Sequence, residues 1–183
     1  MKNENLLDQF ILIDQDVVKQ LVDNALLNDK DIVLEIGAGE GIVTREIAKK
    51  ARRVIAVEID KRYAPGLRKL PKNVRVVFGN GLKVIKRIKF NKIVSSLPSS
   101  LVEPLMQKAK NLDFDSMSLL VPLKFVNKLT NNSSFSLYFK TEMILKVSKK
   151  AFDPQPKTNW ALVRIYPVKP KNPPMKTFSC SEG

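Results

Sequence analysis

The sequence predicts an α/β chain: a doubly wound sheet of seven strands, mostly parallel, with helices on both faces. Three observations carry that expectation. Short apolar runs rich in β-branched residues alternate with segments of helical periodicity. One of these runs, Ile32-Val-Leu-Glu-Ile36, stops abruptly at Gly37-Ala-Gly-Glu-Gly41, as a buried parallel strand does where the backbone must turn. The next run, Val54-Ile-Ala-Val-Glu-Ile-Asp60, ends in acidic residues about 20 positions past the glycines, where nucleotide-binding βαβ units place a ribose-binding carboxylate.

Taken in order, Leu6 to Ile13 is an apolar lead-in, and Asp14 caps a helix over 15–27 with Val17, Val18, Leu21, Val22 and Ala25 inward. Strands are expected at 32–36, 53–58, 74–78, 91–95, 117–121, 143–147 and 161–166. Helices are expected at 42–51, 62–70, 101–111 and 134–141, with a short helical turn in 81–88. Ligands of such a sheet gather outside the carboxyl ends of its strands. Those ends are Gly37 to Gly41, Glu58, Gly79-Asn-Gly81 and Ser95 to Ser100.

Gly37, Gly39 and Gly41 can take positive φ, expose backbone N–H groups and let a ligand approach the main chain. Their spacing is G-x-G-x-G, with Ile42 where a dinucleotide site wants a third glycine, which argues against a nicotinamide cofactor. From Val54 onward, Val54, Ala56 and Glu58 share one strand face and Asp60 falls past the end, so Glu58 is the better ribose ligand. A ligand-free turn and a solvated carboxylate are the bland alternatives.

The chain has 183 residues, 44% of them hydrophobic, enough for one domain with a sizeable core. Residues 1–168 form that domain in this reading. Residues 169–183, with Pro170, Pro173 and Pro174 among Lys, Asn and Ser, read as a flexible Pro/Lys tail. No run reaches membrane-spanning length and the first residues lack a signal-peptide apolar core, so a cytoplasmic protein with no membrane partner is expected. There is one cysteine, Cys180, and no histidine. That composition excludes a disulfide framework, Ser-His-Asp and Cys-His catalysis and His-ligated zinc. No metal is expected, and the chemistry falls to a cofactor.

The net charge of +14 is uneven. Residues 1–60 carry 8 Lys/Arg against 12 Asp/Glu, and residues 61–183 carry 24 against 6. The basic residues are scattered through strands and loops and form no single amphipathic helix, which favours nucleic acid over a membrane surface as the polyanionic partner. The bland alternative is a lysine-rich solvated surface.

Six ordered motifs carry a resemblance: Gln9-Phe-Ile-Leu-Ile-Asp14, Glu35-Ile-Gly-Ala-Gly-Glu-Gly41, Val57-Glu-Ile-Asp60, Gly79-Asn-Gly-Leu-Lys83, Ser96-Leu-Pro-Ser99 and Ala151-Phe-Asp-Pro-Gln-Pro-Lys157. Over residues 6–167 the chain resembles the ribosomal RNA adenine dimethyltransferases of the KsgA/Erm type, archaeal-like. The resemblance implies a Rossmann-like methyltransferase fold, S-adenosyl-L-methionine (SAM) as cofactor, an adenine amino group as acceptor, and the rRNA of the small ribosomal subunit as partner of a monomeric enzyme. It places Gln9 and Leu12 beside the methionine part of SAM, Glu35, Gly37 and Gly39 along it, Glu58 on the ribose, Asn80 at the adenine and Ser96 at the reacting end. Ser96, Leu97, Pro98 and Ser99 would form the catalytic motif, and Phe152 a stacking face for the base.

Three departures bear on activity. Asn80 replaces an Asp and keeps an acceptor without charge. Ser96 and Ser99 replace the Asn and Tyr of Asn-Leu-Pro-Tyr, shortening an acceptor and deleting a ring that stacks on the flipped base. Family members continue into a small helical domain, whereas the residues after Pro167 read here as a Pro/Lys tail, so RNA contacts are expected from the basic face of the catalytic domain and that tail. Two functions stay open on these residues: an rRNA adenine dimethyltransferase, and a catalytically degenerate relative that serves ribosome assembly as an RNA-binding factor.

Overall fold

The computed structural model describes residues 10–130 and 134–168. The tail expected over 169–183 lies outside the described residues.

Nine strands and six α-helices make up the described chain: β1 (Ile11–Leu12), α1 (Gln15–Asp23), β2 (Ile32–Ile36), α2 (Ile42–Ala48), β3 (Arg53–Glu58), α3 (Ala64–Leu67), β4 (Val74–Phe78), α4 (Gly81–Val84), β5 (Lys92–Ser96), α5 (Ser99–Ala109), β6 (Ser116–Pro122), α6 (Lys124–Thr130), β7 (Phe139–Val147), β8 (Phe152–Asp153) and β9 (Trp160–Pro167). Seven strands form one sheet in the order β4-β3-β2-β5-β6-β9-β7. The first five run parallel; β9 pairs antiparallel with both β6 and β7. The chain leaves β2 toward β3 on one side and reaches β5 on the other, so the order reverses beside β2. A crevice opens at such a point, outside the carboxyl ends of the strands.

Period-two alternation sends neighbouring residues to opposite faces. Leu34, Ile93, Met117 and Leu119 pack with Val102, Leu105 and Met106 of α5 and Leu129 of α6. Val33, Val94, Leu120 and Leu162 pack with Val18, Leu21 and Val22 of α1 and Val43 and Ile47 of α2. At the amino ends of β2 and β5, Asp31 draws together Asn28, Asn91 and Lys92, with Asn91 Nδ2 donating at 2.7 Å and Lys92 Nζ at 3.0 Å. Burial pushes the Asp31 carboxyl up, but these donors outweigh it and hold the group below its ordinary value.

All seven sheet strands stand where the sequence places them, within a residue or two except at β7. The first helix is shorter than expected. Asp14 does cap it, accepting from the Asp16 and Val17 amides at 3.0 and 3.2 Å. The apolar pattern continues to Leu27, yet the helix ends at Asp23 because Leu26 takes a left-handed φ of 49°. The helix expected over 134–141 is not there. Phe125, Val126 and Leu129 lie at helical spacing and form α6 instead, while β7 begins already at Phe139. In the intervening turn Phe135 is buried and Leu137 is 77% exposed, a pattern that gives a helix no continuous apolar face.

One small element lies apart from the main sheet. β1 pairs antiparallel with β8, Leu12 opposite Phe152 and Ile11 opposite Asp153, and the Ile13 amide donates to the Ala151 carbonyl at 2.9 Å. This ribbon places Ile11 and Leu12 at the crevice.

Candidate functional site

At the reversal point the glycine turn folds under its own constraints. Gly37, Gly39 and Gly41 take φ values of 80°, 52° and 78°, which side chains resist. Their amides are already used: Gly37 donates to the Val57 carbonyl at 2.8 Å, Gly41 to the Ala38 carbonyl at 2.8 Å, and Gly39 to Glu58 Oε2 at 2.8 Å. The sequence suggested N–H groups open to a ligand, and the structure corrects this. What the turn offers is room, since a Cβ at Gly37 or Gly39 would meet nothing within 4 Å.

Glu58 stands at the carboxyl end of β3, 3% exposed. Its two oxygens accept the Gly39 and Asp60 amides, each at 2.8 Å. Asp60 lies past the strand and caps the turn that follows it, accepting from the Arg62 amide at 2.9 Å. Of the two carboxylates, Glu58 lines the cavity of the crevice and Asp60 does not.

Glu35 sits in the middle of the wall on β2, 2% exposed, and accepts Thr44 Oγ1 at 2.5 Å. Burial pushes its carboxyl up to about 8; the Thr44 hydrogen bond works against that rise and the nearby Glu58 carboxylate adds to it. Two buried carboxyl groups thus stand on adjacent strands, and that of Glu35 holds its proton at neutral pH.

The crevice encloses a cavity of about 230 Å³. Leu12, Glu35, Gly37, Gly39, Glu58, Asn80, Ser96 and Pro98 all line it, so the structure gathers these sequence-selected positions around one space. Asn80 caps α4 there, its Oδ1 accepting the Lys83 amide at 3.2 Å. Ser96 ends β5 with a buried hydroxyl that has no hydrogen-bond partner among the described residues. Gln9 lies outside the described residues.

Three of the positions expected at the reacting end stand elsewhere. Leu97 is fully buried in the core, its amide donating to the Leu120 carbonyl at 3.1 Å, and it does not line the cavity. Ser99 opens the first turn of α5, and the cavity wall on that helix comes from Ser100 and Leu101. Phe152 is 1% exposed and packs on Trp160 with ring centroids 4.7 Å apart. It is a core aromatic in this structure, and the correction has a plain cause: β8 turns its side chain inward under the ribbon, where a large ring eight residues on covers it.

Sequence reasoning missed Phe10, Ile59 and Tyr63, which also line the cavity. Tyr63 follows Asp60 on a short turn, and burial together with the Asp60 and Glu58 carboxylates pushes its phenol up. Phe10 was within reach, standing between two positions already selected. Among the described residues there is no group of three or more His, Cys, Asp or Glu that could hold a metal ion. No helix among them is long and apolar enough to cross a membrane.

Comparison with known proteins agrees with this geometry. "Probable ribosomal RNA small subunit methyltransferase A" of Methanococcus maripaludis is 34% identical over 185 residues, a match covering 93% of this chain and 70% of the relative. The protein of the same name from Pyrococcus abyssi is 33% identical, covering 88% and 64%. A dimethyladenosine transferase from Plasmodium falciparum superposes with a TM-score of 0.77 at 24% identity, over 86% of this chain and 63% of that one, and shares its fold. The 23S rRNA methyltransferase ErmE gives a TM-score of 0.75 at 27% identity, over 86% and 70%. The chain thus spans about two thirds of the length of these relatives. A family profile described as ribosomal RNA adenine dimethylase matches residues 1–179, and with the sheet order and crevice above it establishes that this chain belongs to that family.

Proposed function

We propose that the chain binds SAM in the crevice beside β2 and transfers methyl groups to an adenine amino group of small-subunit rRNA. The observation that carries this reading is the cavity wall itself, where Glu35 and Glu58 lie buried side by side behind a glycine turn that leaves open space. A flat nucleoside fits such a wall, because Glu58 offers acceptor oxygens for its hydroxyls and Glu35, protonated at neutral pH, adds a polar group without a second buried charge.

The residues fit the cofactor by their chemistry. Gly37 and Gly39 leave room for close approach, Glu58 keeps lone pairs for ribose hydroxyls after accepting two amides, and Asn80 stands at the far end for the adenine. SAM supplies a methyl group on a sulfonium that is already an activated leaving group. The protein's task is to hold the acceptor amine in line and to exclude water. Ser96 lines the cavity, and its hydroxyl, buried and without a hydrogen-bond partner among the described residues, would accept a hydrogen from that amine on turning toward the cavity. Such chemistry needs no histidine. The partner is rRNA, met by the net charge of +14, and the reading puts a monomer in the cytoplasm with the ribosome.

A second reading has its own observation. Ser96 has less reach than the Asn it replaces, and Phe152 is enclosed in the core. On this account the chain keeps the fold and binds RNA as an assembly factor. The deciding experiment incubates the protein with SAM and undermethylated small subunits and analyses the digested RNA by mass spectrometry. Dimethyladenosine in the digest supports the enzyme. RNA and SAM binding with no methylated product overturns it in favour of the assembly factor.

A further inference from the structure

If an adenine enters this crevice, as the proposed function requires, something must hold its face. Position 99 carries a serine, and the Phe152 ring is packed against Trp160 at 4.7 Å with 1% exposure. Neither offers a flat apolar surface to the cavity. Two rings do line the cavity, Tyr63 and Phe10; the Tyr63 phenol lies within the influence of the Asp60 and Glu58 carboxylates past the end of β3, which leaves Phe10. Phe10, half-buried at the start of the β1 segment, lines the cavity together with Ser96, Pro98 and Leu101.

The Phe10 ring is set in place by the same aromatic that encloses Phe152. Its centroid lies 6.2 Å from that of Trp160 with the planes at 79°, an edge-to-face contact, which leaves ring surface uncovered by the partner. Phe10, Trp160 and Phe152 thus form a chain of three rings running from the cavity into the core, and of the three only Phe10 lines the cavity, as Ser96 also does. The β1–β8 pairing immediately after Phe10 fixes the backbone on which this ring is carried.

We propose that Phe10 is the stacking platform for the acceptor base, acting from the β1 wall while Ser96 meets the amino edge. A base held on one aromatic face and hydrogen-bonded at its edge has the two contacts that recognition of a flipped nucleotide needs. The assignment also explains how a chain with serine at 99 keeps an aromatic at the acceptor end.

The test uses the full chain saturated with S-adenosylhomocysteine (SAH) and 2-aminopurine riboside as the probe, whose fluorescence is quenched on stacking. Wild type should quench it, Phe10→Leu should weaken its binding by about five- to 150-fold, and Phe10→Tyr, which restores a ring, should recover it. Thermal melting and SAH calorimetry on all three proteins check that fold and cofactor site are intact. Equal quenching by wild type and Phe10→Leu overturns the proposal. So does a loss of SAH affinity that parallels the loss of quenching, since Phe10 would then serve the cofactor. Methyl transfer to undermethylated small subunits is measured beside it. Ring-dependent quenching without transfer supports the platform and removes the enzymatic reading, so the two failures are separable.

Discussion

Glu58 Oε2 accepts the Gly39 amide at 2.8 Å, tying the end of β3 to the middle of the glycine turn 19 residues earlier. The carboxylate therefore shapes the turn before any ligand arrives. Replacing it removes a hydrogen-bond acceptor from two amides, those of Gly39 and Asp60.

Glu58→Ala should destabilise the free protein by about 1–3 kcal/mol, the range for leaving buried polar groups unpaired. It should also abolish the stabilisation by SAH, which for wild type is about 2.7 kcal/mol at roughly 100 times the dissociation constant. Melting curves with and without SAH give both quantities. An undiminished ligand shift in the variant would remove Glu58 from the cofactor site.

Glu35 makes stability fall as pH rises. Its folded value is pushed up to about 8 from an ordinary 4.5, so between those limits the folded state holds a proton that the unfolded chain has released. Stability is fully present below about pH 4.5, declines by roughly 1.4 kcal/mol per pH unit while Glu35 stays protonated, and levels off above about 8. Urea titrations from pH 5 to 9 should show this slope in wild type and lose it in Glu35→Gln. An identical slope in both would assign the pH dependence to other groups.

Gly81 opens α4 against β2, and a Cβ built there would lie 2.6 Å from Ile36 Cγ2. Gly81→Ala should therefore cost about 1–3 kcal/mol through overpacking despite alanine's better helix propensity. Both residues line the cavity, so SAH affinity should drop as well. Equilibrium unfolding with an unchanged m value, paired with calorimetry, tests the two effects together.

RNA binding should be steeply salt-dependent. A chain that neutralises about six phosphates loses about 10³ in affinity between roughly 50 and 200 mM salt through counterion release. Filter binding across that range is the check. A flat profile would mean that the charge of +14 is solvated surface with no role in holding RNA.

The centre of the parallel half was legible in the sequence because β2 and β3 are buried on both faces, so each is a continuous apolar run ended by glycine or acid. The cavity wall was legible for the same reason: Gly37, Glu58, Asn80 and Ser96 stand at strand ends, which the fold class brings together. The antiparallel side was harder. Phe135, Leu137, Tyr138 and Phe139 form a dense apolar cluster, and only the tertiary contacts decide that it is a turn leading into β7. Phe152 shows a second limit. Its motif marks it as important, but whether its ring meets ligand or core depends on Trp160, whose position next to it comes from the sheet. That contact has no local signature.

The pairing of Leu12 with Phe152 also sets the order in which the pocket can come into being. Every residue from the glycine turn through Ser96 is made early, yet the wall holding Ile11 and Leu12 has no strand to pair with until β8 has been synthesised. Closing so long a loop comes late in folding, because its entropy must be met before the contact is gained. A nascent chain that stops before β8 would hold the turn and both carboxylates in an open groove. The β1 wall of the cavity is therefore held in place only in a chain that has been made through Asp153, and a ligand that needs that wall would select such chains over shorter ones.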